Sequence, residues 1–331
     1  MKLILPFYFV LAFSTCLAQT GNSGFGVLSL PSSARASALG GDPIALAEKD
    51  LSLVGENPAL LDSVELQDIY LQYSPFFGGI NLLNAGYAFN TKAIGPMAFS
   101  LSYLNYGSFN RTDNIGTNLG SFSPQDYVAQ LSKSHRLGLF VLGANLKFIH
   151  TSIDGFGASA IASDLGGTFQ VPNKDFTVGL VIKNLGFVID DYVGSEVDLP
   201  TDIQIGTSFK PKYMPARFNI NFSMLGNDLG YFHQNPNDDE NASNIDSFFR
   251  HLSAGVELYI GKAFTAMVGY DHLRNQELRL VQGNYGAGFS FGFNIKIKKF
   301  DFTFSRATYH AAGGMNTLGI STNLAQTKKI F

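Results

Sequence analysis

Tyr285, Ala287, Phe289, Phe291, Phe293, Ile295 and Ile297 alternate with Gly286, Gly288, Ser290, Gly292, Asn294, Lys296 and Lys298. A strand turns successive side chains to opposite faces, so this segment presents one apolar face and one small or polar face. The same period returns at Phe218, Ile220, Phe222 and Met224, at Phe176, Val178, Leu180 and Ile182, and at Leu252, Ala254, Val256, Leu258 and Ile260. Strands of soluble sandwiches also alternate, but they are shorter. Crossing bilayer hydrocarbon at a tilt of about 45° takes roughly 9 to 11 residues. Several of these segments reach that length, which predicts membrane-barrel strands.

From Leu66 onward the pattern predicts fourteen strands, near 66–74, 79–90, 93–105, 124–134, 138–149, 159–171, 175–184, 201–210, 215–225, 248–259, 262–272, 284–298, 299–306 and 315–324. Their connections alternate in length. Short ones fall at Asn90-Thr91-Lys92, Ser134-His135-Arg136, Pro172-Asn173-Lys174, Pro211-Lys212-Tyr213, Gly261-Lys262 and Lys298-Lys299; long ones span 106–123, 150–158, 185–200, 226–247, 273–283 and 307–314. Only the first hairpin, near Pro75 to Gly78, is short on the long side. Short periplasmic turns and long outer loops are the usual asymmetry of outer-membrane barrels. Charge follows length: Lys92, Lys133, Arg136, Lys174, Lys210, Lys212, Arg217, Lys262, Lys296, Lys298 and Lys299 gather at the short turns. Asp190, Asp191, Glu196 and Asp198 fill one long loop, and Asp228, Asp238, Asp239, Glu240 and Asp246 another.

Met1-Lys2, the apolar run Leu3–Phe13 and the small residues ending at Ala18 predict a secretory signal peptide over 1–18. Reading Cys16 as a lipoprotein anchor fits less well, because Phe13 and Thr15 occupy positions that want small residues. Cys16 is the only cysteine, so a chain cut after Ala18 has neither disulfide nor thiol chemistry. Beyond the leader no stretch approaches the roughly 18 apolar residues of a spanning helix. Only helices and closed barrels satisfy their backbone hydrogen bonds in lipid, which leaves an all-β transmembrane antiparallel barrel of about 14 strands over 66–324. With 13% aromatic residues and no tryptophan, Tyr and Phe must supply any interfacial girdle. Losing Lys2 takes the net charge from -3 to -4, which speaks against nucleic-acid binding.

Residues 19–65 lack strand periodicity and predict a segment in the lumen or at the periplasmic mouth, ahead of the barrel and its 325–331 tail. Gly40-Gly41-Asp42-Pro43 reads as a turn, Pro43–Lys49 as a short helix, and Asn57-Pro58-Ala59-Leu60-Leu61 as a helical turn capped by Asn57 with Pro58 at its first position. Leu30-Pro31-Ser32-Ser33-Ala34-Arg35-Ala36-Ser37-Ala38-Leu39-Gly40-Gly41-Asp42, followed by Asn57-Pro58-Ala59-Leu60, resembles the N-terminus of the FadL-like barrels, in the branch that holds the type IX secretion barrels PorV and PorQ. The resemblance implies a non-enzymatic outer-membrane component of that secretion system. It also implies neighbours in a cell-surface attachment complex: a PorV-like barrel, the sortase PorU and a PorZ-like surface protein, besides outer-membrane lipid. FadL-like barrels also move hydrophobic small molecules through the lumen and a lateral gap, which is the alternative expectation.

Arg35, Gly40, Gly41, Asn57 and Pro58 are the candidate structural motif of the luminal segment, with Arg35 expected to meet an interior carboxylate. Asp190, Asp191, Tyr231, Asp238, Asp239 and Glu240 mark the candidate docking loops. The acidic run 238–240 has no EF-hand spacing and reads as a solvated loop. Six histidines stand singly and no GxSxG elbow is present, so no catalytic residue, metal or cofactor is expected. A Ser–His pair on neighbouring strands is the one enzymatic arrangement left open.

Overall fold

The computed structural model describes residues 25–64, 66–173, 175–192, 197–224, 244–278, 286–310 and 313–327. Fourteen strands close into one antiparallel barrel, in which each pairs with its neighbour in sequence and β1 (Asp68–Pro75) closes on β16 (Gly313–Asn323). Between them run β2 (Asn81–Thr91), β3 (Gly95–Asn105), β6 (Gln125–Leu137), β7 (Phe140–Ile153), β8 (Phe156–Gln170) and β9 (Phe176–Asp190). The circuit continues through β10 (Asp202–Phe209), β11 (Ala216–Ser223), β12 (Leu252–Ile260), β13 (Phe264–Asp271), β14 (Phe289–Ile297) and β15 (Phe300–His310). A separate hairpin, β4 (Phe109–Thr112) with β5 (Asn118–Phe122), fills the connection from β3 to β6.

Burial is inverted relative to a soluble protein. Leu71, Tyr73, Phe148, Leu180, Ile220, Val268 and Phe291 are exposed, whereas Gln72, Asn84, Gln130, Asn145, Asn219 and Glu257 are buried. Large side chains thus face lipid and polar ones face the lumen, the arrangement expected of a strand cylinder in a bilayer. No described helix is long and apolar enough to cross a membrane.

The strands differ from expectation at their ends. β7 and β8 continue to a tight turn at Asp154-Gly155, both with positive φ (+49° and +87°), where a long loop 150–158 was expected. Asp-Gly between alternating segments is a two-residue hairpin signal that the length argument passed over. Similarly, β15 and β16 extend to His310 and Gly313 and shorten the 307–314 loop. β6 runs to Leu137, so its turn lies at 138–139, one step beyond Ser134-His135-Arg136. β14 starts only at Phe289, because Gly286 and Gly288 adopt φ of +79° and +84° and Ala287 is buried. Tyr285 lies outside the described residues.

β9 shows the largest irregularity. Its inward series is Thr177, Gly179 and Val181, but beyond Ile182 the phase reverses, leaving Phe187 and Ile189 exposed and Asn184 buried. Ser163 pairs with Leu185 and Leu165 with Ile182, so β9 carries one extra residue, and Asn184 has φ of +59°. This β-bulge turns both Lys183 and Asn184 toward the lumen. It also explains why alternation stops near 184 although the strand continues to Asp190.

Candidate functional site

The lumen is occupied by residues 25–64, which contain one short helix, Ala34–Ala38, and three 3₁₀ turns: Gly26–Ser29, Leu51–Gly55 and Pro58–Ser63. Ser33 caps the helix by accepting from the Ala36 N–H (3.0 Å). That cap preceding Ala-Arg-Ala-Ser-Ala was the signal the sequence reading missed. Pro43–Lys49, by contrast, is not helical. Three of its N–H groups bond two residues back, Ile44 to Asp42, Ala47 to Ala45 and Glu48 to Leu46, in γ-type turns, and the Leu46 N–H bonds three back to Pro43. Ties to other elements hold it in this form, since the Ile44 carbonyl accepts from Asn57 Nδ2 (2.9 Å) and Glu48 is drawn to Arg35.

The direction of the segment follows from its contacts. Phe25 and Val27 pack with Leu82, Leu104, Ile149 and Val197 toward the long-loop end, while Asp62 pairs with Arg136 at the short-turn end. The chain therefore runs the length of the lumen before entering β1.

Arg35 lies at the centre of a charged knot. Its Nε and Nη2 donate to the two oxygens of Glu257 on β12 (2.7 and 2.8 Å), Nη2 also donates to Glu48 (2.5 Å), and Nη1 lies 3.5 Å from Asp50. Glu257 is fully buried. Glu48 is also met by Arg217 of β11 (3.1 Å) and by the Tyr259 hydroxyl (2.9 Å). A second knot joins Lys183 of the β9 bulge to Asp42 (2.9 Å) and Glu56 (2.8 Å), with Glu56 also accepting from the Ser32 N–H (2.9 Å). A third lies within the wall: Asp164 of β8 holds Lys147 (2.7 Å), Asn145 Nδ2 (3.0 Å) and the Asn184 N–H (2.9 Å). Opposite charges with fully used hydrogen bonds can remain buried where single ones cannot.

The wall meets the segment through glycine. A Cβ on Gly179 would lie 2.7 Å from the Ile44 carbonyl, and one on Gly255 would lie 2.7 Å from that of Leu39. At Gly143, Gly166 and Gly269 it would run into Pro58 and Ala59, into Asn57, and into Leu39 and Gly40. Gly40 and Gly41 have φ of +96° and +131° and close the Ala34–Ala38 helix, the Gly41 N–H returning to the Ala36 carbonyl (2.9 Å). Asn57 Oδ1 accepts from the Ala59 N–H (3.0 Å) at the start of the Pro58–Ser63 turn. The five motif residues thus lie inside the barrel.

Cavities remain beside the segment, two of which are described. The larger, about 460 Å³, is lined by Lys147, Lys183, Asp202, Asp271, Arg274 and Tyr309 among others; the smaller, about 160 Å³, by Arg35, Glu48, Glu257, Tyr259 and Asp301. The smaller is predominantly polar, whereas the larger also presents Val27, Leu28, Leu30, Leu82, Val128 and Leu273, so its charged groups share the wall with an apolar face. Among the described residues no group of three metal-ligating acids or histidines occurs. His150 Nδ1 lies 2.9 Å from Ser159 Oγ, but no carboxylate among the described residues hydrogen-bonds that imidazole, so the pair lacks the orienting acid of a hydrolytic triad.

Of the docking candidates, Asp190 is exposed at the end of β9, and Asp191 accepts from the Val197 N–H (3.3 Å). Tyr231, Asp238, Asp239 and Glu240 lie outside the described residues, as does the predicted leader.

Compared with solved structures, the chain is similar to a Pseudomonas aeruginosa FadL homologue, with a TM-score of 0.51 and 10% identity over 93% of this chain and 99% of that one. It also matches a TodX monoaromatic hydrocarbon channel mutant at a TM-score of 0.49 and 11% identity, covering 87% and 96%. No protein-family model and no curated protein matches it. The chain thus has the fold of the first of these structures, a FadL-type closed antiparallel β-barrel, here of fourteen strands with residues 25–64 inside the lumen.

Proposed function

We propose that the protein is a PorQ-type component of the type IX secretion system, anchoring surface partner proteins of an attachment complex to the outer membrane. The observation that carries this reading is the filled lumen: the segment bearing the PorV/PorQ-like motif is fastened to the wall by buried ion pairs through Arg35 and Lys183. Such a barrel offers its outer loops rather than its interior. Its partners are then a PorZ-like surface protein, with PorU and a PorV-like barrel, docked on 106–123, 185–200, 226–247 and 273–283.

A second reading, FadL-like transport of hydrophobic small molecules, is favoured by the fold likeness and by the β9 bulge beside the luminal segment. The fold comparison and the apolar part of the larger cavity speak for transport; the charges of Lys147, Lys183, Asp202, Asp271 and Arg274 in that cavity, and the polar lining of the smaller, speak against an apolar cargo, which would leave buried charges without solvation. Purifying the tagged protein from native outer membranes in mild detergent, with mass spectrometry of the eluate, separates the two. Stoichiometric recovery of a large surface protein supports the anchor. Recovery of the barrel alone with a bound apolar molecule overturns it in favour of transport.

A further inference from the structure

At the long-loop end, the short helix Asn244–Phe249 lies against the outside of the wall. Its Phe248 ring is 5.8 Å from Phe222, and Phe249 is 6.0 Å from His272, whose Nδ1 lies 3.0 Å from the Tyr270 hydroxyl. Phe222 and Tyr270 belong to the outward series of β11 and β13, two residues beyond the lipid-facing Ile220 and Val268. The helix thus bridges from β11 to β13 on the lipid side.

Its carboxylate is paired. Asp246 accepts from Arg250 Nε (2.9 Å) and lies 2.9 Å from His272 Nε2, and Arg250 is itself buried. Among the helix side chains that are described, Phe248 and Phe249 are exposed, 55% and 47%, their rings in edge contact, and Met224 at the end of β11 and Phe289 at the start of β14 are exposed on the same outward series.

We propose that this helix is an interfacial anchor, with the Phe248 and Phe249 rings seated in the acyl-headgroup boundary of the leaflet at the long-loop end. Lipid is the occupant because the patch continues the apolar wall that already faces hydrocarbon, and because the helix carboxylate, Asp246, is already paired with Arg250 and His272. An amphipathic helix lying in the interface buries its apolar face in this way. The anchor fixes where the chain re-enters the wall at β12.

The chain has no tryptophan, so a single Phe249→Trp substitution reports from this site alone. The variant is reconstituted into phosphatidylcholine vesicles with bromine high or deep in the acyl chain. Phe293→Trp on the mid-strand wall and Ile115→Trp at the β4–β5 turn serve as references, and a heat-dependent gel-mobility shift confirms that each barrel is folded. Phe249→Trp should emit to the blue of Ile115→Trp and lose at least about half its intensity to shallow bromine, with Phe293→Trp favouring deep bromine. Quenching by aqueous iodide with no response to bromine overturns the proposal, as does protection from both quenchers, which would place protein over the rings. Phe248→Trp repeats the measurement should Phe249→Trp fail to fold.

Discussion

Arg35 and Glu257 are 222 positions apart in sequence, yet they share two hydrogen bonds inside the barrel. Removing one member of a buried pair leaves the other charge stranded, at about 3–5 kcal/mol, whereas removing both costs much less. Arg35→Met should therefore lower the unfolding midpoint strongly and expose residues 25–64 to protease, while Arg35→Met with Glu257→Gln recovers much of the loss. A double-mutant cycle by denaturant titration in detergent reads the coupling, and additive effects would deny it. Gly166 and Gly167 provide a paired test one residue apart. A methyl group at Gly166 meets Asn57 and Pro58, but at Gly167 it lies 3.6 Å from Leu142 on the lipid side. Gly166→Ala should cost about 1–3 kcal/mol through overpacking, and Gly167→Ala no more than about 0.5 kcal/mol. Composition shows that glycine is abundant. Which glycines bear on the segment is decided only by the packed lumen, because close approach is a property of two surfaces.

Among the elements, strands were the most legible, since period-two alternation is dictated locally by lipid on one side and the lumen on the other. All fourteen predicted strands overlap barrel strands. Strand ends were less legible: Asp154-Gly155 and the β9 bulge both hide where a pattern argument expects a loop. The Asn244–Phe249 helix was invisible to that argument, six residues being too few for a helical period. Its pH response follows from Asp246. Burial pushes that carboxyl up, but hydrogen bonds from His272 and Arg250, with the Arg250 charge, outweigh this and hold it below the usual carboxylate range. A depressed folded value means that the stabilisation is complete at neutral pH, declines as pH falls below the free-aspartate range and is gone below the lowered value, whereas the folded protein itself takes up the proton only at that lowered value. Emission of the Phe249→Trp reporter should therefore stay constant through the range where a free aspartate titrates and shift to the red below it. Adding Asp246→Asn should remove the acid-dependent step.

For the molecule as a whole, residues 25–64 occupy the lumen and leave cavities beside them, two of which share Tyr70 in their lining. With residues 25–64 in place the barrel should carry little current in planar bilayers. Deleting 25–64 while retaining β1 onward should produce a stable conductance, because the remaining interior is polar. An unchanged trace from a barrel that still shows its heat-dependent gel shift would mean that the lumen closes by other means. The same deletion separates structural from partner roles: surface-protein retention should persist if docking uses the outer loops.

The lipid-facing and lumen-facing series, the strand number and the lack of strand character before residue 66 can be read from the chain alone, because these follow from local periodicity and from the rule that a bilayer leaves no backbone group unpaired. Tertiary structure alone decided that Arg35 meets Glu257, that Lys183 turns inward at a bulge to bind Asp42 and Glu56, and that the segment runs from the long-loop end to the short-turn end. These depend on barrel closure, which brings residues more than a hundred positions apart into a space where an unpaired charge is too costly to remain.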